Sequence, residues 1–84
     1  MGEKMNYEIF VSELIKPLVL KPELVSVETI SENGKNLELQ VLVDAEDLGR
    51  VIGRKGRIAN SIRTIVHACA ARNGDFVEIA INER

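Results

Sequence analysis

Tryptophan is absent from this sequence, and aromatic residues of any kind are few: one tyrosine and two phenylalanines in 84 residues. One cysteine, Cys69, excludes an intramolecular disulfide, and one histidine, His67, leaves the usual metal-ligand sets unfilled. Stability must come from packing, which suits a reducing compartment. No apolar run reaches the roughly 18–20 residues that a membrane helix needs. The opening MGEKMNYEIF has no apolar signal-peptide core, and Asn6 stands where a myristoylation signal wants Ser or Thr. The expectation is a protein that stays in the cytoplasm where it is made.

What is present is an ordinary globular composition, 45% hydrophobic and 29% charged. A chain of this length forms one domain, residues 1–84, and buries only about 60–65% of its unfolded surface. Charge is unevenly placed. From Leu48 to Gly74 there are six cations (Arg50, Arg54, Lys55, Arg57, Arg63, Arg72) and no acid, whereas the rest of the chain holds five cations and thirteen acids. Such a segment attracts polyanions to one side of the molecule while the remainder repels them. Catalysis needs a positioned base and nucleophile, and the cationic segment has no acid to supply one. We expect no enzyme, no catalytic residue, no cofactor and no metal site.

Apolar periodicity sets the elements. Tyr7, Phe10, Val11, Leu14 and Leu18 recur at helical spacing, predicting an amphipathic helix over about 6–16, closed by Pro17 and Pro22. LVSVETISE (24–32) is rich in β-branched residues and leads into Asn33-Gly34, a hairpin signal. NLELQVLVD then alternates, with Leu37, Leu39, Val41 and Val43 on one face and Leu42 the exception. Asp44 and Asp47 mark a helix start, and both are read as solvated acids at its positive end. That helix covers about 45–52 and stops at Gly53. A longer one runs from Arg57 to about Arg72, with Ile58, Ile62, Ile65, Val66 and Cys69 expected inward. A last strand, FVEIAIN, turns Val77, Ile79 and Ile81 to one side. The order α-β-β-α-α-β gives an α+β fold. Its three-stranded mixed sheet has an antiparallel hairpin and a parallel pair joined by the helical crossover, with the helices packed on one face.

Between the two later helices stands GRKG, residues 53–56. Glycines are usual just past a helix end, so capping alone accounts for Gly53 and Gly56 as structural residues. It does not account for Arg54 and Lys55 between them, directly before the positive end of a helix. Glycines also let a backbone approach a ligand closely, and the arrangement suits phosphate oxygens. The dinucleotide and nucleoside-triphosphate loops need other spacings. A G-x-x-G between helices is the loop by which KH domains clamp a single-stranded backbone.

On these residues the chain resembles the K-homology (KH) family, in particular the small bacterial single-KH proteins of the KhpA type. IKPLVLKPELVSVE resembles that family's N-terminal helix and first strand, DLGRVIGRKGRIANSIRTIV its helix-loop-helix, and FVEIAI its final strand. Ala59 stands where eukaryotic KH domains generally carry an aliphatic residue. The resemblance implies a type II KH fold, binding of short single-stranded RNA, self-association, and pairing with a larger KH protein of the Jag (KhpB) type. It implies a post-transcriptional regulator or RNA chaperone. Gly53, Arg54, Lys55 and Gly56 would grip the backbone of about four nucleotides. Arg50 and Arg57 would flank them, with bases over Val51 and Ile52; these two are equally readable as core. Arg63 and Arg72 are read as helix surface, His67 as a partly exposed helix residue and Cys69 as a small core residue. Two other readings stand beside this one. One is a KH fold kept as a protein-docking scaffold, with RNA binding incidental; the other is duplex DNA binding by helix-turn-helix geometry, which the flanking strands and short first helix disfavour.

Overall fold

The computed structural model describes residues 5–84; residues 1–4, part of the stretch read for targeting signals and of the 1–84 domain, lie outside them. Helix α1 (Tyr7–Ile15) begins at Asn6, whose side chain accepts the Ile9 N–H at 3.1 Å. It is shorter than the expected 6–16, because Pro17 pulls Lys16–Leu18 into a 3₁₀ turn. The inward stripe is therefore Tyr7, Val11 and Ile15, and Leu18, expected to continue it, is 36% exposed. A second 3₁₀ turn, Pro22–Leu24, delays strand β1 to Ser26–Asn33.

Strand β2 (Asn36–Val43) lies at the sheet's centre, antiparallel to β1 and parallel to β3 (Phe76–Glu83). The hairpin turns at Gly34-Lys35, with Asn33 paired to Asn36, so the turn sits one residue later than Asn33-Gly34. A register shift between Thr29 and Ser31 throws Ile30 outward, where it is half exposed. The alternation expected in β2 holds: Leu39, Val41 and Val43 have no exposed surface and Leu37 is partly covered.

Asp44 caps helix α2 (Ala45–Ile52), accepting the Glu46 N–H at 3.1 Å. Helix α3 (Arg57–Arg72) ends in a Schellman arrangement: the Gly74 N–H reaches Ala71 O at 3.0 Å and the Asp75 N–H reaches Ala70 O at 2.8 Å. Its buried stripe is Ala59, Ile62, Val66 and Ala70, which corrects the stripe expected from sequence. Ile58 and Ile65 are 36% and 45% exposed, and Cys69 is only partly buried. Spacing alone does not fix which side of an isoleucine-rich helix faces inward. Here the small Ala59 and Ala70 are buried, and the larger Ile58 and Ile65 are left out.

Buried residues from all three helices and from β2 and β3 form one cluster, giving the α+β fold, a mixed three-stranded sheet covered by helices. The opposite sheet face is polar, with Glu38 of β2 and Glu78 of β3 exposed as cross-strand neighbours. Side chains tie the layers together. Tyr7 donates its hydroxyl to Asp75 at 2.6 Å and accepts from Asn73, joining the start of α1 to the end of α3. Glu8 accepts both the backbone N–H and the hydroxyl of Thr29 in β1, at 2.8 and 2.7 Å. On the far side, Arg63 of α3 donates to the Ile79 carbonyl of β3 at 3.3 Å.

Candidate nucleic-acid interface

The link between α2 and α3 is set by backbone conformation. Gly53 has φ 76° and ψ 174°, a region essentially closed to residues with a Cβ, and Gly56 is left-handed at φ 75°. A Cβ on Gly53 would also lie 2.6 Å from Cγ1 of Ile58. Lys55, between them, is left-handed as well (φ 55°), the one non-glycine residue with positive φ among those described. Arg54–Gly56 thus form a single tight 3₁₀ turn that aims α3 back across α2.

The consequence is electrostatic. Arg54, Lys55 and Arg57 are exposed, and among the described residues none of their side chains has a hydrogen-bond or ion-pair partner. Gly56, as N-cap of α3, has no side chain with which to cap the helix's first turn. Three free cations therefore stand at the positive end of a sixteen-residue helix. Phosphate is the group that such a site accommodates best.

The flanking residues divide. Arg50 donates to the Glu46 carbonyl at 2.7 Å and to Asp47 Oδ1 at 3.3 Å, so its guanidinium is partly committed to α2 itself. Val51 has no exposed surface and belongs to the core, while Ile52 is partly exposed beside the loop. Of the two residues offered as a base-lining pair, Ile52 alone presents surface. Ala59, the residue that departs from the eukaryotic pattern, is buried at 2% and keeps the inward position.

The sequence reading missed Asp47. It is not a solvated acid at a helix start but a carboxylate 1% exposed. It accepts the backbone N–H groups of Leu20 and Lys21, both at 3.0 Å, and so ties the segment after α1 to α2. The Leu20 N–H bond above all, with that of Lys21 and the charge of Arg50, holds its carboxyl below the usual carboxylate range against the cost of burial. Lys21 in turn pairs with Glu46 at 2.6 Å and Asp44 at 3.5 Å, and the Glu46 contact leads in raising its pKa. Nothing local in the sequence distinguishes Asp47 from Glu46; its partners lie 26 and 27 residues away.

A family model described as "KhpA/KhpB, KH domain" matches residues 8–81. The chain belongs to the KhpA/KhpB KH-domain family. It is 41% identical over 76 residues to the RNA-binding protein KhpA of Listeria monocytogenes, covering 90% of this chain and 99% of that one. To the protein of the same name from Clostridium perfringens it is 46% identical over 69 residues, 81% and 89% of the two chains. The Borreliella burgdorferi protein shares 38% over 81 residues, 96% and 98%. Among solved structures, a crystal structure of Aquifex aeolicus Era superposes with a TM-score of 0.63 at 16% identity, over all of this chain and 34% of that one, a likeness of fold. The curated relatives carry the name of an RNA-binding protein and of no enzyme. No helix among the described residues is long and apolar enough to cross a membrane, and none of their His, Cys, Asp and Glu side chains gather into a metal-binding group.

Proposed function

We propose that this protein binds short single-stranded RNA without catalysis, with the whole chain working as one KH domain in the cytoplasm. The GRKG loop is the clamp: Gly53 and Gly56 set its shape, Arg54 and Lys55 meet phosphates, and Arg57 and Arg50 flank them, with bases over Ile52. The observation that carries this is the set of three exposed cations, without partners among the described residues, on a glycine-built turn at the head of α3. The relatives' shared name, RNA-binding protein, points the same way. The protein acts as a post-transcriptional regulator or RNA chaperone, paired with a second copy or with a larger KH protein of the Jag (KhpB) type. The joint family description KhpA/KhpB and the exposed Ile65 support pairing.

Replacing Arg54 and Lys55 with aspartate tests the clamp. Removing two phosphate contacts, each releasing about 0.7 of a counterion from a single strand, costs roughly 25-fold in affinity at 0.1 M salt, before any repulsion is added. A folded double variant, checked by circular dichroism, that bound a single-stranded RNA pool as tightly as the parent would overturn the reading.

A further inference from the structure

The scarcity of aromatics makes the placement of Phe76 informative. Of the three, Tyr7 is buried and Phe10 is partly covered against the core, but Phe76 is 51% exposed. Packing of β3 does not require it, since the strand's buried residues are Val77 and Ile79. One face of the ring is nevertheless held: His67 of α3 stacks beside it, centroids 5.8 Å apart and planes within 20°. The His67 Nε2 is buried without a hydrogen-bond partner among the described residues, so the imidazole is engaged through its face. Phe76 is fixed at its backbone too, its N–H donating to Lys35 O at 2.8 Å.

This pair closes one end of a seam whose other end is the GRKG loop. Helix α3 runs back along β3, with Arg63 on the Ile79 carbonyl and, one turn on, His67 on Phe76. From Gly56 to His67 is about 16 Å along the helix axis. No acid occurs in α3 over that distance. Phe76 alternates with the buried Val77, so its ring stands at the rim of the acidic sheet face and shares a cavity with Glu38 and Glu78, whose charges repel phosphate and leave the ring to an uncharged base.

We infer that the Phe76–His67 pair is a base-stacking platform at the far end of the α3–β3 seam, taking an unpaired nucleobase of an RNA strand gripped by the GRKG loop. This rests on the RNA reading above and extends it: the footprint is longer than the roughly four nucleotides of the loop, and the added contact is apolar rather than ionic. A stacked base tolerates any sequence, because every base offers a π face.

Fluorescence anisotropy with labelled single-stranded tetramers and decamers of uridine and adenosine tests this. Phe76→Ala and the bulk-preserving Phe76→Leu are expected to shrink the parent's preference for decamer over tetramer by at least about fivefold, with the salt slope unaltered. Phe76→Trp, the only tryptophan in the chain, is expected to keep the preference and to lose fluorescence when decamer binds. The Arg54→Asp, Lys55→Asp variant separates the two claims. If it binds both lengths like the parent, the clamp falls; if it loses both while the Phe76 variants discriminate length as the parent does and Phe76→Trp is not quenched, the platform alone falls. Phe76 variants that keep the parent's RNA binding but change the oligomeric state in sedimentation also overturn the platform, and assign the ring to protein contact.

Discussion

Ile58 fills the space that a side chain on Gly53 would need: a Cβ on Gly53 would meet Ile58 Cγ1 at 2.6 Å and Cδ1 at 2.9 Å. The first glycine of the loop is thus demanded twice, by backbone conformation and by the helix it introduces. Gly53→Ala should cost about 1–3 kcal/mol from the backbone alone, at roughly 4–8 °C of melting temperature per kcal/mol for a domain of this size. In an Ile58→Ala background Gly53→Ala should cost less, because the Cγ1 and Cδ1 contacts are gone while the Cβ contact at 3.0 Å and the backbone strain remain. A double-mutant cycle in thermal unfolding reads the coupling; purely additive losses would show that the contact yields freely.

Lys55 holds a left-handed conformation that costs an ordinary residue roughly 1–2 kcal/mol. Lys55→Gly should therefore raise the melting temperature by a few degrees while weakening RNA binding, an opposition of stability and function at one residue. Thermal melts and anisotropy titrations on the same sample check both directions.

Salt dependence follows from the number of phosphates gripped. Three or four contacts on a single strand give a log–log slope of about −2 to −3. Arg57→Ala should flatten it by about 0.7. Arg50→Ala should flatten it less, since Glu46 and Asp47 already engage that guanidinium.

Asp47 should govern the acid limb of stability. Its folded pKa lies below the unfolded value of about 3.9. Its contribution is therefore present above that value and lost as pH falls through the lower, folded one. Asp47→Asn should lower the melting temperature at neutral pH and make it less dependent on pH below about 4. Tyr7 works at the other extreme. Burial first, and then the Asp75 hydrogen bond, raise its pKa above 10. Its contribution is whole below the unfolded value and lost as pH rises through the folded one. As the sole tyrosine, it can be titrated directly by ultraviolet absorption. Tyr7→Phe should flatten the alkaline limb.

Much of the fold was legible in the sequence because it rests on local signals. Period-two alternation marked β2, Asp44 marked the start of α2, and Gly53 and Gly56 marked the break before α3. What was not legible depended on partners remote in the chain. The inward face of α3 is not fixed by the sequence, because Ile58, Ile65 and Cys69 satisfy helical spacing as well as Ala59 and Ala70 do, and tertiary packing decides between them. Asp47 has the local signature of a solvated acid, because its partners are backbone groups of a distant loop. The pairing of His67 with Phe76 spans two elements and leaves no spacing to read. In the loop itself the free cations were visible, whereas the left-handed turn at Lys55 was not, since lysine is no signal for it.

The contacts of Glu8 with Thr29 and of Arg63 with Ile79 have a consequence for how this protein keeps company with itself. β1 and β3 are the sheet's two outer strands, and on each a helix side chain of opposite sign occupies a main-chain group. A neighbouring strand seeking to extend the sheet would have to displace a carboxylate on one flank and a guanidinium on the other, and lateral polymerisation is discouraged from both directions. Copies of this small protein can then be crowded together without zipping into fibres.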